Sequence, residues 1–328
     1  MSLLRSFLLL SAVAVVLLSG CGGGGDAGSE ASENWTFEDL RLNLDWEPGP
    51  ENVGPVLADR LGYFKDVKLG PWINTPIFPE RPTKYVDEKL VETAITQEPQ
   101  VVLAQEEGWS VVIFGSLVPE ATMGMIWLEG SGIDDIGDLK GKTIAYPGVR
   151  FQKDFLEYIL KGAGLTLADV KLDDAGYDIA AALASGRADA IFGGSDNEEG
   201  ALLEARGLDP VVTKATDLGI PDYDELVLIA RRDRYMKDPE LFQRILDASI
   251  RGNEAASEDA KAATKAIVDQ SFGQASPKPT QAGVEATAPL LSETGEVDEA
   301  KLEELIDWMY EQGMIRRKLP VSDLLAGS

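Results

Sequence analysis

The sequence predicts an α/β fold in two lobes with a helical C-terminal region. Three observations carry that reading. Apolar runs of strand length alternate with stretches of helical spacing from Arg41 to Ala230, the alternation expected of a mainly parallel sheet. Strand–loop–helix junctions recur at Asp45, Tyr146 and Gly193, and beyond Ala230 the chain reads as almost wholly helical. The chain has 328 residues, and a domain of roughly 100–200 residues favours two lobes.

The first junction spans Arg41 to Phe64. Leu42, Leu44 and Trp46 alternate with Arg41, Asn43 and Asp45, the period of a strand with two distinct faces. Pro48, Gly49 and Pro50 cannot continue a central strand, and Val53, Val56 and Leu57 then fall at helical spacing up to Gly62. In open α/β sheets the carboxyl ends of strands and the amino ends of the next helices border the ligand crevice. Asp45, Trp46 and Asn52 are therefore candidate ligand-binding residues. Trp46 offers a flat apolar face with one N–H donor, while Asp45 and Asn52 offer acceptors and an amide that fix a ring's orientation.

The following elements are shorter. Residues 67–85 hold four prolines and read as loops around one short strand. Val91 to Ile95 reads as a strand, Thr96 as a cap, and Pro99 to Glu107 as a helix with Pro in its first turn. Val111 to Leu117 and Met123 to Leu128 are strands, and Ile133 opens a short helix before a Lys-Gly-Lys turn. A strand at Thr143 to Tyr146 runs through Pro147-Gly148 into a helix from Phe151 to Gly162. Lys171 to Asp173 and Ala188 to Phe192 read as strands, with a helix from Ile179 to Ala184 between them. The second of these strands ends at Gly193-Gly194, and a helix follows from Asn197 to Arg206. Leu226 to Ala230 is a buried strand, followed by helices at Pro239 to Ala256, Glu258 to Gln270 and Glu299 to Gln312, with a short one at Pro289 to Leu291. The predicted lobes comprise residues 41–126 with 224–328, and residues 127–223, crossed near Trp127 and Leu226.

Composition excludes several classes of chemistry. With 30 Lys and Arg against 56 Asp and Glu the net charge is −26, so nucleic acid is not an expected partner. There is no histidine, and Cys21 is the only cysteine. Imidazole bases, His-based zinc sites, Cys clusters and internal disulfides are thereby removed. The run Gly20, Gly22, Gly25 satisfies G-x-G-x-x-G, but no strand precedes it and no dinucleotide site is predicted. No cofactor is expected.

Residues 1–21 read as a lipoprotein signal peptide, with Arg5 as its charged start and an apolar run from Phe7 to Leu18. Leu18-Ser19-Gly20-Cys21 resembles the bacterial lipobox, which implies lipidation at Cys21 and attachment to a membrane outside the cytoplasm. Residues 22–40 read as a flexible tether, whose first 13 residues are Gly, Ser, Ala and acid with Asn34 at their end. Their random-coil reach is on the order of 20 Å.

Several phrases resemble the substrate-binding proteins of bacterial ABC importers, in the branch that binds thiamine-pyrimidine precursors. They are DWEP at Asp45, LGYFKD at Leu61, DLKGKTIAYPG at Asp138, GRADAIFGG at Gly186, NEEG at Asn197 and YDELVL at Tyr223. The resemblance implies a two-lobe periplasmic-binding-protein fold of type II, closing over a small molecule. It implies one wall with Asp45 and Trp46 and another with Tyr146, Gly148, Asn197 and Glu199, with Tyr177 near the mouth. The family's DWTPNTNH here reads DWEPGPEN, so Gly49 and Glu51 replace two Asn and Asn52 replaces a His; Gln97 stands where a tyrosine is usual.

The implied function is that of a lipid-anchored binding protein that captures a small aromatic heterocycle and delivers it to an ABC permease. Arg150 and Lys153 are the only cations close to a predicted cleft loop, which favours a neutral or weakly basic ring over an anion. The alternatives are a binder of a sulfonate, a riboflavin-like or another small solute, a sensor partner, and, further off, an enzyme like the pyrimidine synthases that share the fold. The absence of histidine opposes the last.

Overall fold

The computed structural model describes residues 38–78 and 81–327. The predicted signal peptide, Cys21 and most of the predicted tether lie outside them.

Among the described residues ten strands form two mixed sheets. The first sheet contains β1 (Glu38–Asn43), β2 (Leu69–Asn74), β3 (Thr93–Thr96), β4 (Val111–Val118) and β10 (Leu226–Arg231) in the order β2-β1-β3-β10-β4. The second contains β5 (Met123–Leu128), β6 (Thr143–Tyr146), β7 (Lys171–Asp174), β8 (Ala190–Ser195) and β9 (Pro210–Lys214) in the order β7-β6-β8-β5-β9. In each sheet one strand runs against the rest: β10 is antiparallel to β3 and β4, and β5 to β8 and β9. Each of these is the first strand after the chain passes to that sheet, so one reversed strand per sheet marks each crossing.

The first crossing lies earlier than the sequence prediction, and the second contains the predicted boundary at 223–224. β5 begins at Met123, so the first passage lies at 119–122 and Trp127 is a buried mid-strand residue. The second lies between β9 and β10, at 215–225. The passages are laced together, because the Ala121 N–H donates to Asp222 (2.9 Å) and the Thr122 and Met123 N–H groups donate to Glu225 (2.8 and 3.1 Å). Lys301 donates to the Pro119 carbonyl and pairs with Asp222 and Asp224, fixing both passages to the last long helix, Glu299–Glu311. That helix also packs Trp308 edge-on against Phe155 and Tyr158 of the helix Arg150–Gly162. The helical tail thus braces both sheets.

The opening strand is displaced toward the N-terminus. β1 starts at Glu38, inside the predicted tether, and ends at Asn43 rather than Trp46. Leu40 and Leu42 point inward with Arg41 outward, and the ladder stops after the Leu44 N–H donates to Asn74 O, where β2 ends. Residues 44–52 are consequently loop. The helix Val53–Leu61 that follows crosses the helix Pro239–Glu258 at Gly54 and Gly252, where a Cβ on Gly252 would overlap the Gly54 carbonyl. That close crossing holds the loop in place.

Three further differences matter locally. Residues 67–85 carry β2 and a helix at Pro82–Asp87, more structure than predicted. The tail adds a helix at Pro277–Thr287 ahead of the short turn at Ala288–Leu290. The predicted helix 197–206 opens as a π-helical turn, Asp196–Gly200, before the helix Ala201–Ala205.

Candidate functional site

The loop after β1, the passages between the sheets, the turn after β6 and the π-turn after β8 converge on one cavity. It is a small, mostly polar space of about 40 Å³. Asp45, Trp46, Glu51, Asn52 and Gln97 line it from the first sheet's side. Val149, Gln152, Gly193, Ser195, Glu198 and Glu199 line it from the second, with Thr122, Met123 and Glu225 from the passages.

Five of these residues are carboxylates and none is Lys or Arg. Their first oxygens are held by the protein. Glu225 takes the two passage N–H groups, Glu199 takes the Ser195 N–H (2.9 Å), and Glu198 takes the Glu51 N–H (3.0 Å). Glu51 accepts from Thr122 Oγ1 and from Asn197 Nδ2, both at 2.8 Å. Asp45 is flanked by Asn52 Nδ2 and Gln97 Nε2, each at 3.4 Å.

Burial disfavours the ionised form of a carboxyl, and neighbouring carboxylates add to the effect. Burial and then Glu51 raise Asp45 to about 7 and Glu225 to about 8. Glu199 is raised to about 7 by burial, against the Ser195 N–H, which favours its charge. Glu198 stands well above the usual range through burial, Glu51 and Glu199, and Glu51 is raised by burial in spite of Asn197 and Thr122. Near neutral pH the cavity therefore holds protons as well as charge.

Trp46 supplies the aromatic wall. Tyr177 meets its ring edge-on, with centroids 4.5 Å apart and planes at 78°, and donates its hydroxyl to Pro76 O (2.8 Å). Trp46, Glu198 and Glu199 also face a larger outer cleft of about 760 Å³, which Tyr177, Arg206 and Phe272 help to line.

The family model described as NMT1/THI5 like matches residues 50–263, more than half of the chain. The chain belongs to the NMT1/THI5-like family. The formylaminopyrimidine-binding protein of Halalkalibacterium halodurans is 26% identical over 328 residues, 98% of each chain. A 4-amino-5-hydroxymethyl-2-methylpyrimidine phosphate synthase of Candida albicans is 29% identical over 228 residues, 64% of this chain and 65% of that one. Among solved structures, the alkanesulfonate-binding protein from Xanthomonas axonopodis pv. citri bound to MOPS superposes with a TM-score of 0.70. It is 16% identical and the match covers 88% of this chain and 98% of that one, so it speaks for the periplasmic-binding-protein fold alone.

Within this NMT1/THI5-like chain, Asp45, Trp46, Asn52, Gln97 and Glu199 line the cavity, while Tyr177 stands in the outer cleft behind Trp46. Asn52 also folds its own loop, donating to Glu47 O (3.1 Å) and accepting from the Gly49 N–H (3.0 Å). Tyr146, Gly148 and Asn197 line neither space. Tyr146 closes β6, and burial and then the neighbouring Asp174 raise its phenol above the ordinary value. Gly148 has φ +81°, and a Cβ there would come within 2.5 Å of the Asp174 carboxylate, so its contribution is the turn that presents Val149 and Gln152. Asn197 spends its amide donors on Glu51 and on Thr287 Oγ1 (2.9 Å), which orients Glu51 and leaves no side-chain N–H for a ligand.

Sequence reasoning missed Glu51, Thr122, Gln152, Glu198 and Glu225 as cavity residues. Glu225 had a readable signal, since a carboxylate stands directly before the apolar run LVLIA. Glu198 faces the cavity beside Glu199 because the π-turn widens the first turn of the segment, and no periodicity announces such a turn.

Proposed function

We propose that this chain is the solute-binding protein of an ABC importer, that it captures a small amino-substituted pyrimidine between its lobes, and that it hands it to a permease. The protein works outside the cytoplasm, held to a membrane by a lipid on Cys21. The observation that carries the ligand class is the pairing of the Trp46 ring with a wall of hydrogen-bond acceptors. A planar heterocycle stacks on the ring, and its exocyclic amine donates to Asp45, Glu199 or Glu225.

The relative matched along nearly its whole length is named for binding a formylaminopyrimidine, which supports this class. A sulfonate would meet five carboxylates and no cation in the cavity lining. Arg150, the cation expected nearest the cleft, is instead engaged with Glu107 (3.1 Å) and Asp154. Binding rather than synthesis is favoured because the chain has no imidazole for proton transfer.

Thermal shift against a panel of 4-amino-5-hydroxymethyl-2-methylpyrimidine, formylaminopyrimidine, riboflavin, MOPS and putrescine tests the proposal. A true ligand at 100 times its Kd stabilises the folded state by roughly 2.7 kcal/mol. The expected result is a shift with the pyrimidines that Trp46→Ala abolishes. A shift with MOPS alone would contradict it.

A further inference from the structure

The cavity contains more acceptors than a neutral aminopyrimidine can satisfy. An exocyclic amine brings two N–H donors, whereas Asp45, Glu51, Glu198, Glu199 and Glu225 all face the same space. Gln152 adds another acceptor: it lines the cavity, is only 4% exposed, and its Oε1 meets no donor. Five carboxyls gathered in one buried space repel one another when ionised, so an occupant that brings positive charge as well as donors relieves that repulsion and displaces the protons they hold.

The arrangement also crosses between the lobes. Glu51 belongs to the loop after β1, yet its carboxylate is held by Thr122 and Asn197, and its N–H by Glu198. The cavity therefore gathers carboxylates from both sides. Among the described residues no group of three His, Cys, Asp or Glu is placed to hold a metal ion.

Resting on the pyrimidine reading, we propose that the cavity takes its ligand as a cation, a pyrimidine ring that carries a protonated primary amine on a short arm. The ring lies against Trp46 with its exocyclic amine toward Asp45 or Glu199. The ammonium, with three donors, is taken up by Glu51, Glu198 and Glu225, and Gln152 Oε1 receives a remaining N–H.

Isothermal titration of the purified protein at pH 7.5 tests this with three forms of one ring, the 5-aminomethyl, 5-hydroxymethyl and 5-formylaminomethyl derivatives of 4-amino-2-methylpyrimidine. The expected result is binding of the aminomethyl form at least tenfold tighter than either neutral form. In Glu198→Gln and Glu51→Gln that preference is expected to fall below threefold, a ratio taken within each variant. Equal or tighter binding of a neutral form by the unaltered protein would overturn the inference while leaving the pyrimidine reading in place. Binding of putrescine with no binding of any pyrimidine would overturn the pyrimidine reading and leave the cation requirement standing. Tight binding of Zn²⁺ or Mg²⁺ alone, competing with the ring, would overturn the inference by making the carboxylates a metal site.

Discussion

Replacing Glu225 by Gln should flatten the pH dependence of stability of the ligand-free protein. The Glu225 carboxyl, ordinarily near 4.5, titrates at about 8 here, because burial and then Glu51 oppose its charge. At about 1.4 kcal/mol per pH unit, holding it ionised above pH 8 costs on the order of 5 kcal/mol. The sign follows from proton counting: the folded chain keeps a proton that the unfolded chain has released, so stability falls as pH rises from about 4.5 to about 8. The cost is shared with Glu51, which brings the part that one substitution removes to about 2–4 kcal/mol. The amide oxygen of the Glu225→Gln variant would still accept from the Thr122 and Met123 N–H groups, so the passages between the sheets keep their lacing. At about 2 °C per kcal/mol for a chain of this size, the fall in Tm between pH 5 and pH 8.5 should be shallower by about 4–8 °C in the variant. Scanning calorimetry reads this directly. Parallel Tm curves for the two proteins would refute the premise that the cavity holds protons when empty.

Two other outcomes follow from contacts already described. Asn197→Ala removes the donors to Glu51 and Thr287. With a buried carboxylate left short of a partner, it should lower stability by roughly 2–4 kcal/mol, seen as a lower urea midpoint at unchanged m-value, and an unchanged midpoint would show that the bonds are not made in solution. Cys21→Ser should abolish incorporation of a labelled fatty acid and release the protein from the membrane fraction, whereas label retained in the variant would place the anchor elsewhere.

The parts of the fold that are legible in sequence are those whose own chemistry sets their limits. β5 and β6 and the helix Ile179–Ala184 have their predicted bounds, because turn residues or polar stretches flank each apolar run. β9 (PVVTK) has no such signal: it is an edge strand with Pro at its first residue, half exposed, and owes its place to pairing with β5. The bounds of β1 mislead because Leu42, Leu44 and Trp46 alternate beyond the point where β2 supplies a partner. In the site, the junction after β1 points to Asp45, Trp46 and Asn52, whereas the approach of Glu51, Glu198 and Glu225 from three separate segments is a tertiary event without a local pattern. The same gap explains Asn197, whose residue type suits a ligand but whose neighbours, Glu51 and Thr287, come from distant parts of the chain.

The most direct measurement is a crystal structure of the complex with 4-amino-5-aminomethyl-2-methylpyrimidine. The account predicts the ring stacked on Trp46, the ring amine about 2.7–3.2 Å from a carboxylate oxygen of Asp45 or Glu199, and the aminomethyl nitrogen among Glu51, Glu198 and Glu225. A ligand lying instead in the outer cleft beside Arg206 and Phe272, with the carboxylate cavity holding only water, would contradict it.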